Sequence, residues 1–193
     1  MLPQSGRLSA LGIVTLIPFV AASVVDPNRL GLGLLAVSYF LLMICLSGPF
    51  FLALGQITGA TWSSSIRAVP LGLTRLLPIP ALWLFAVILL FPDLHYATDS
   101  ESLSSTFKEF WQGRLFLIVR SILWLSVWVG FSRLFVNSAL RHDGGGPHPV
   151  SKRLSRISVL FLVLFSLTFW LSTQDWILSL TPNWHSTAFA VYN

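Results

Sequence analysis

Long apolar runs separated by short polar stretches make up most of the chain. Five of these runs cover residues 8–25, 31–54, 69–91, 115–139 and 157–180. Each is close to the roughly 20 helical residues that cross a hydrocarbon layer of ~30 Å. The pattern predicts an all-α fold: a polytopic transmembrane helical bundle of five spans, forming a single domain over residues 1–193.

The first run has a second interpretation, as a secretory signal peptide. Arg7 precedes the apolar residues, and the side chains at 20–22 are small. Pro18 and the Asp26-Pro27 pair instead favour a helix end followed by a tight turn. We therefore expect this run to be a membrane span.

Glycines and prolines predict where two other spans end or begin. Gly55 and Gly59 have a G-x-x-x-G spacing, which permits close helix contact, but they are better interpreted as caps at a helix end. Pro70, Pro78 and Pro80 predict an irregular start to the third span. Its ordered part is expected from about residue 79.

The composition supports a membrane protein. Hydrophobic residues make up 54% of the chain, charged residues 10%, and the mean hydropathy is +0.76. A soluble domain normally carries about 25% charged residues. The net charge of +5 comes from basic residues spread over several loops, so we expect no nucleic-acid partner.

The distribution of basic residues predicts the orientation. With the N-terminus in the cytoplasm, three basic residues flank the spans on the outer side and eight on the inner side. The outer residues are Arg29, Lys108 and Arg114, and the inner ones are Arg7, Arg67, Arg75, Arg133, Arg141, Lys152, Arg153 and Arg156. Since basic residues concentrate in cytoplasmic loops, the N-terminus is predicted to be cytoplasmic and the C-terminus periplasmic.

Two charged residues interrupt otherwise uncharged apolar stretches. Asp175 is the one ionisable residue of 157–180, and Arg120 is the one in 115–131. Charges in hydrocarbon are costly and usually face a partner or a water path. Arg120 is six residues from Arg114, roughly 9 Å, and Asp175 is five from Leu180, roughly 8 Å. Their equal depths in adjacent antiparallel spans predict an ion pair.

The pair has two interpretations, and the sequence leaves both open. It either fastens two helices or takes part in proton or quinol chemistry. A carboxylate in hydrocarbon favours its protonated form, whereas a nearby guanidinium favours the charged form. Asp175 and Arg120 are therefore candidates for a proton path, which neighbouring polar side chains would extend. These are Ser172, Thr173, Gln174 and Ser179.

Common redox and metal sites are not expected in this chain. A membrane haem usually needs two histidines facing each other within helices, whereas all four histidines here fall in loops or at an interface. Cys45 is the single cysteine, too few for an iron–sulfur cluster or a zinc site. We expect no metal and no cofactor held by this chain.

The end of the last span resembles a known family. Residues 172–187 read STQDWILSLTPNWHST, with the spacing D-W-x-x-S-L-x-P-x-W-x-S-T from Asp175. This is similar to the NrfD/PsrC-like (polysulphide-reductase-type) membrane subunits of alternative complex III, a quinol:cytochrome c oxidoreductase. Residues 59–63 (GATWS), 116–120 (FLIVR) and 138–141 (SALR) resemble its shorter, F-type subunit.

The resemblance implies an accessory membrane subunit of a respiratory complex in a bacterial plasma membrane. Implied partners are the lipid bilayer, other membrane subunits, a multihaem cytochrome c and an iron–sulfur subunit. It also allows quinol at an interface with a partner subunit. Trp176, Trp184 and His185 are then the quinol-proximal candidates, although in the family the quinol site is better attributed to the longer paralogue.

Two features depart from the family. Asn183 stands where the family has a histidine, which puts a proton path at this end in doubt. Family members resemble two four-helix bundles with flanking helices, about ten spans, whereas this sequence matches one flanking helix and the first bundle. We expect either a fragment or a chain that works with a partner. The alternative function is a transporter or a membrane assembly factor without a redox role, although internal repeats and broken helices are not evident.

Overall fold

All the regular secondary structure in the described part of the chain is helical. The computed structural model describes residues 26–59, 66–94, 110, 113–140 and 152–180. Its helices are α1 Pro27–Thr58, α2 Ala68–Leu76, α3 Pro78–Leu90, α4 Arg114–Leu140 and α5 Lys152–Trp176, with short 3₁₀ turns at Pro92–Leu94 and Leu178–Leu180. The predicted all-α class is confirmed for these residues.

Four helical segments are long and apolar enough to cross a membrane. They are Asn28–Thr58, Ala68–Leu90, Arg114–Ala139 and Lys152–Leu180. Large apolar side chains point outward from them, for example Leu82 with 70% of its surface exposed. The protein is therefore a multi-pass membrane protein. The predicted span 8–25 lies outside the described residues, so the fifth span stays a prediction.

The first described helix, α1, is capped at both ends. Asp26 accepts hydrogen bonds from the backbone N–H groups of Asn28 and Arg29 at 3.0 and 3.3 Å. Gly59 ends the helix in the left-handed conformation, with φ 59°, and its N–H donates to the carbonyl of Gly55. The predicted cap is confirmed for Gly59, whereas Gly55 lies within the helix. The helix has 32 residues and continues through Pro49, so it extends beyond the expected 31–54 at both ends.

Prolines divide the next span into α2 and α3. Pro70 lies in the first turn of α2, while Pro78 and Pro80 lie in the first turn of α3. The first N–H groups of a helix have no acceptor within it, so proline is tolerated there. The prolines remove N–H donors around Leu77, but Leu77 keeps helical φ and ψ angles, and helix already begins at Ala68 rather than near residue 79.

The helices form a ring in which α1 packs against α2 and α3 on one side and α5 on the other. Helix α4 lies between α3 and α5 and completes the ring. Neighbouring spans are antiparallel, so the bundle has an Asp26 end, where α1 begins, and a Thr58 end, where it finishes. The core between them contains buried Leu42, Leu84 and Trp128.

Candidate functional site

A buried ion pair joins α4 to α5 near the Asp26 end. Arg120 Nη2 lies 3.0 Å from Asp175 Oδ1, and the two side chains are only 5% and 2% exposed. Arg120 lies in the second turn of α4 and Asp175 at the end of α5. The antiparallel packing brings the two residues to the same level, as their depths in the sequence predict.

An aromatic ring covers the guanidinium of Arg120. Its Cζ atom lies 4.6 Å from the centroid of the Phe116 ring. Phe116 precedes Arg120 by one helical turn, so the two side chains share one face of α4. The ring contributes a cation–π attraction, which is stronger where water is excluded. Arg120 is thus held in place by both Asp175 and Phe116.

The second oxygen of Asp175 faces an indole. Trp124 Nε1 donates to Asp175 Oδ2 over a long 3.5 Å. Trp124 follows Arg120 by one turn of α4, so successive turns of that helix supply a cation and an N–H donor to one carboxylate. Both oxygens of the buried carboxylate thus face a donor group of α4.

Two further indole hydrogen bonds cross between the same helices. Trp176 Nε1 donates to Ser121 Oγ and Trp128 Nε1 donates to Thr168 Oγ1, each at 2.9 Å. The Trp128 and Trp176 rings meet edge to face, with centroids 5.8 Å apart. We call this set the α4–α5 polar interface; its residues are Arg120, Ser121, Trp124, Trp128, Thr168, Asp175 and Trp176.

A third helix contacts this region through Tyr39 of α1. Its hydroxyl lies 3.2 Å from Thr173 Oγ1, and both residues are buried. Thr173 is two residues from Asp175, so the tyrosine joins α1 to the polar region beside the carboxylate. Three of the four membrane-crossing segments therefore meet around the end of α5.

The serines predicted to extend a proton path make other contacts. Ser172 Oγ donates to the carbonyl of Phe169 at 2.9 Å, and Ser179 Oγ donates to the carbonyl of Asp175 at 2.6 Å. Both hydroxyls thus bond to the backbone of their own helix segment. Gln174 is half-buried in the same turn. A role for these side chains in proton transfer stays a prediction.

The remaining predicted site residues divide into two groups. Trp176 is fully buried in the polar interface and contacts α4 rather than an open cleft. Trp184 and His185 lie outside the described residues. Sequence reasoning missed Tyr39, Trp124 and Trp128. Trp124 follows Arg120 by four residues, and this spacing predicts that the two side chains lie on the same face of the helix.

No protein-family model matches the sequence, and no curated protein matches it. Within the described ranges, no group of three or more histidine, cysteine, aspartate or glutamate side chains is arranged to hold a metal ion. The chemistry of the site is therefore that of one carboxylate, one guanidinium and the hydroxyl and indole groups around them. Such a set can bind helices together, and a carboxylate in it can exchange a proton when its partners move.

Proposed function

We propose that this protein is a membrane subunit of a respiratory quinol:acceptor oxidoreductase complex. The acceptor is cytochrome c or another carrier. In this proposal the chain supplies scaffold helices and a carboxylate near a quinol site that is formed with a partner subunit. The multihaem cytochrome c and iron–sulfur subunits of the complex hold the redox groups.

The observation that carries the proposal is the buried Arg120–Asp175 ion pair. Asp175 is also the residue at which the D-W-x-x-S-L-x-P-x-W-x-S-T spacing begins. Asp175 is therefore both the charged residue within the apolar run and the first residue of the family-like motif. Ionisable groups at this depth are usually retained for a pathway or a partner, because they are costly in hydrocarbon.

Orientation forms part of the proposal. In this proposal the Thr58 end lies in the cytoplasm of a bacterium and the Asp26 end in the periplasm, which the excess of basic residues near the Thr58 end supports. The ion pair then lies in the outer half of the plasma membrane. Quinol oxidised at that side would release protons towards the periplasm, and Asp175 is placed to accept one of them.

The contacts of Asp175 support the proposed role in proton transfer. Arg120 and Trp124 stabilise the charged carboxylate, and the Asp175 side chain is only 2% exposed. A small movement of Arg120 would leave the carboxylate in an apolar setting that favours the protonated form. Asp175 would thus take up a proton when the pair opens and release it when the pair reforms.

Co-purification tests the assignment to a complex. The tagged chain would be isolated from its native membranes in a mild detergent, and the preparation examined for haem absorbance, iron and sulfide. We expect a multihaem cytochrome c and an iron–sulfur protein in stoichiometric amounts. A preparation free of both, or one containing only a solute carrier or assembly partner, would contradict the proposal.

Substitution of Asp175 tests its role in the assembled complex. Asp175→Asn removes the exchangeable proton and Asp175→Glu retains it; Asp26→Asn, at the exposed start of α1, is the matched control. We expect slower quinol oxidation and proton release in Asp175→Asn only. Normal assembly with unchanged rates would reduce Asp175 to a structural role. If Asp175→Asn fails to assemble, unchanged rates in an assembled Arg120→Lys variant lead to the same conclusion.

A further inference from the structure

A groove between α3 and α4 opens on the outer surface of the bundle. Its volume is about 470 Å³, and its apolar lining includes Ala81, Phe85 and Ile122. It lies on the side of α4 that faces away from α5 and from the ion pair. Since the helices cross a membrane, this groove faces the hydrocarbon of the bilayer.

Gly130 leaves part of the groove empty. A Cβ atom built at this residue would meet nothing within 4 Å, and Gly130 is exposed in the groove wall. The glycine is therefore not required for close helix packing. It instead widens a channel along the surface of α4, and a larger side chain at this position would fill that space.

A positively charged side chain lies at one end of the groove. Arg133 lines it and is exposed, and the described lining residues include no acidic group. Arg133 lies seven residues before the end of α4 at Leu140, roughly 10 Å. Arginine at this depth extends its guanidinium to the headgroup region while its stem contacts hydrocarbon. Arg75, also exposed, precedes the lining residue Pro78 by one turn at the same end.

The length of the groove fits one lipid leaflet. From Ile122 to Arg133 is eleven residues of α4, a rise of roughly 16 Å, which is about half of a ~30 Å hydrocarbon core. Ile122 and Arg133 lie eight and seven residues from the two ends of α4, so a chain anchored at Arg133 that fills the groove would end just beyond the bilayer centre.

We infer that the groove binds an anionic glycerophospholipid from the leaflet at the Thr58 end. Its phosphate contacts Arg133, and one acyl chain lies along Ala81, Phe85, Ile122 and Gly130. This assignment depends on membrane insertion and on the charge of Arg133. It does not depend on the redox role proposed above.

Lipid retention tests the inference. The full chain, in its complex if it forms one, would be placed in nanodiscs that contain equal amounts of phosphatidylglycerol and phosphatidylcholine. The protein would then be released from the nanodiscs, and native mass spectrometry would count the lipids that stay bound. Arg133→Gln is compared with Arg156→Gln, an exposed arginine on α5 outside the groove. We expect the amount of bound phosphatidylglycerol to fall about fivefold in Arg133→Gln alone. This is the change in affinity that corresponds to the loss of one basic residue near an anionic surface.

A second comparison tests the acyl-chain part of the site. Gly130→Leu fills the groove, whereas Gly33→Leu adds the same side chain to an open position on α1. We expect only Gly130→Leu to lose the bound lipid. Equal retention in Arg133→Gln and Arg156→Gln, or no preference for phosphatidylglycerol, would overturn the inference. So would a dimer or partner complex that Gly130→Leu dissociates, since a protein would then occupy the groove.

Discussion

The Tyr39 hydroxyl and Thr173 Oγ1 lie 3.2 Å apart, and this buried contact links α1 to the turn of α5 that carries Asp175. The ion pair itself joins only α4 and α5. The tyrosine thus extends the polar contacts to a helix on another side of the ring. Because both groups are buried, removing either hydroxyl leaves the other without this hydrogen bond.

A double-mutant cycle measures this contact. Tyr39→Phe and Thr173→Val each remove one hydroxyl with little change in volume. We expect each to lower the free energy of unfolding modestly, with a coupling energy of about 0.6 kcal/mol, the average for interhelical hydrogen bonds in membranes. The cycle would be measured by denaturation in mixed detergent micelles. Strictly additive effects would show that the two hydroxyls do not interact.

A close approach between α1 and α2 predicts a second result. A Cβ atom at Gly48 would lie 2.5 Å from the carbonyl oxygen of Pro70 and 2.7 Å from Thr74 Oγ1, so α1 and α2 would have to separate. We expect Gly48→Ala to destabilise the fold by about 1–3 kcal/mol, the usual effect of overpacking. Thermal unfolding in detergent measures it.

Gly33 supplies the matched control on the same helix. A Cβ atom there meets nothing within 4 Å, and alanine favours helix over glycine. Gly33→Ala should leave the melting temperature unchanged or slightly higher. Equal behaviour of the two alanine variants would contradict the close packing of α1 on α2.

The buried ion pair predicts a non-additive series. Arg120→Met leaves Asp175 buried without its cation, and breaking such a pair costs about 3–5 kcal/mol. Adding Asp175→Leu removes the remaining charge, so we expect the double variant to recover most of the lost stability. Unfolding curves of Arg120→Met, Asp175→Leu and the double variant decide this.

An exposed pair gives the comparison. Arg29 Nε lies 3.2 Å from Asp26 Oδ2, with the arginine side chain 84% exposed. Arg29→Ala should change stability by no more than about 1 kcal/mol, as exposed pairs do. A double variant at positions 120 and 175 that is less stable than Arg120→Met would show that the charges do not interact as a pair.

The sequence predicted the spans and the ion pair because both depend on one-dimensional distances. Apolar runs of sufficient length identified the four described spans, and equal depth matched Arg120 to Asp175. The helix bounds were less predictable. Pro49 lies within α1 without ending it, and residues 68–76 are helical despite Pro70, because a proline's effect depends on its position within the helix.

The partners around the pair were not predictable from spacing alone. An apolar run surrounds Tyr39, Trp124 and Trp128, so neither periodicity nor charge indicates which aromatic faces the core. Ser172 and Ser179 share a helix stripe with Asp175, yet both hydroxyls bond to backbone carbonyls. Short hydroxyl side chains in helices often do this, and the sequence does not distinguish that use from contact with a neighbouring helix.

The last prediction concerns topology, which rests on the eight-to-three asymmetry of basic residues. Single cysteines would be introduced in a Cys45→Ala background, since Cys45 is buried on α1. Asn28→Cys lies at the Asp26 end and Lys152→Cys at the Thr58 end, and both positions are exposed. In intact bacterial cells, a membrane-impermeant maleimide should label Asn28→Cys and leave Lys152→Cys unlabelled until the cells are opened. The reverse pattern would place the Asp26 end in the cytoplasm and invert the proposed position of the ion pair. Labelling of both positions from the same side would contradict the membrane crossing of the described bundle, because an odd number of spans separates the two residues.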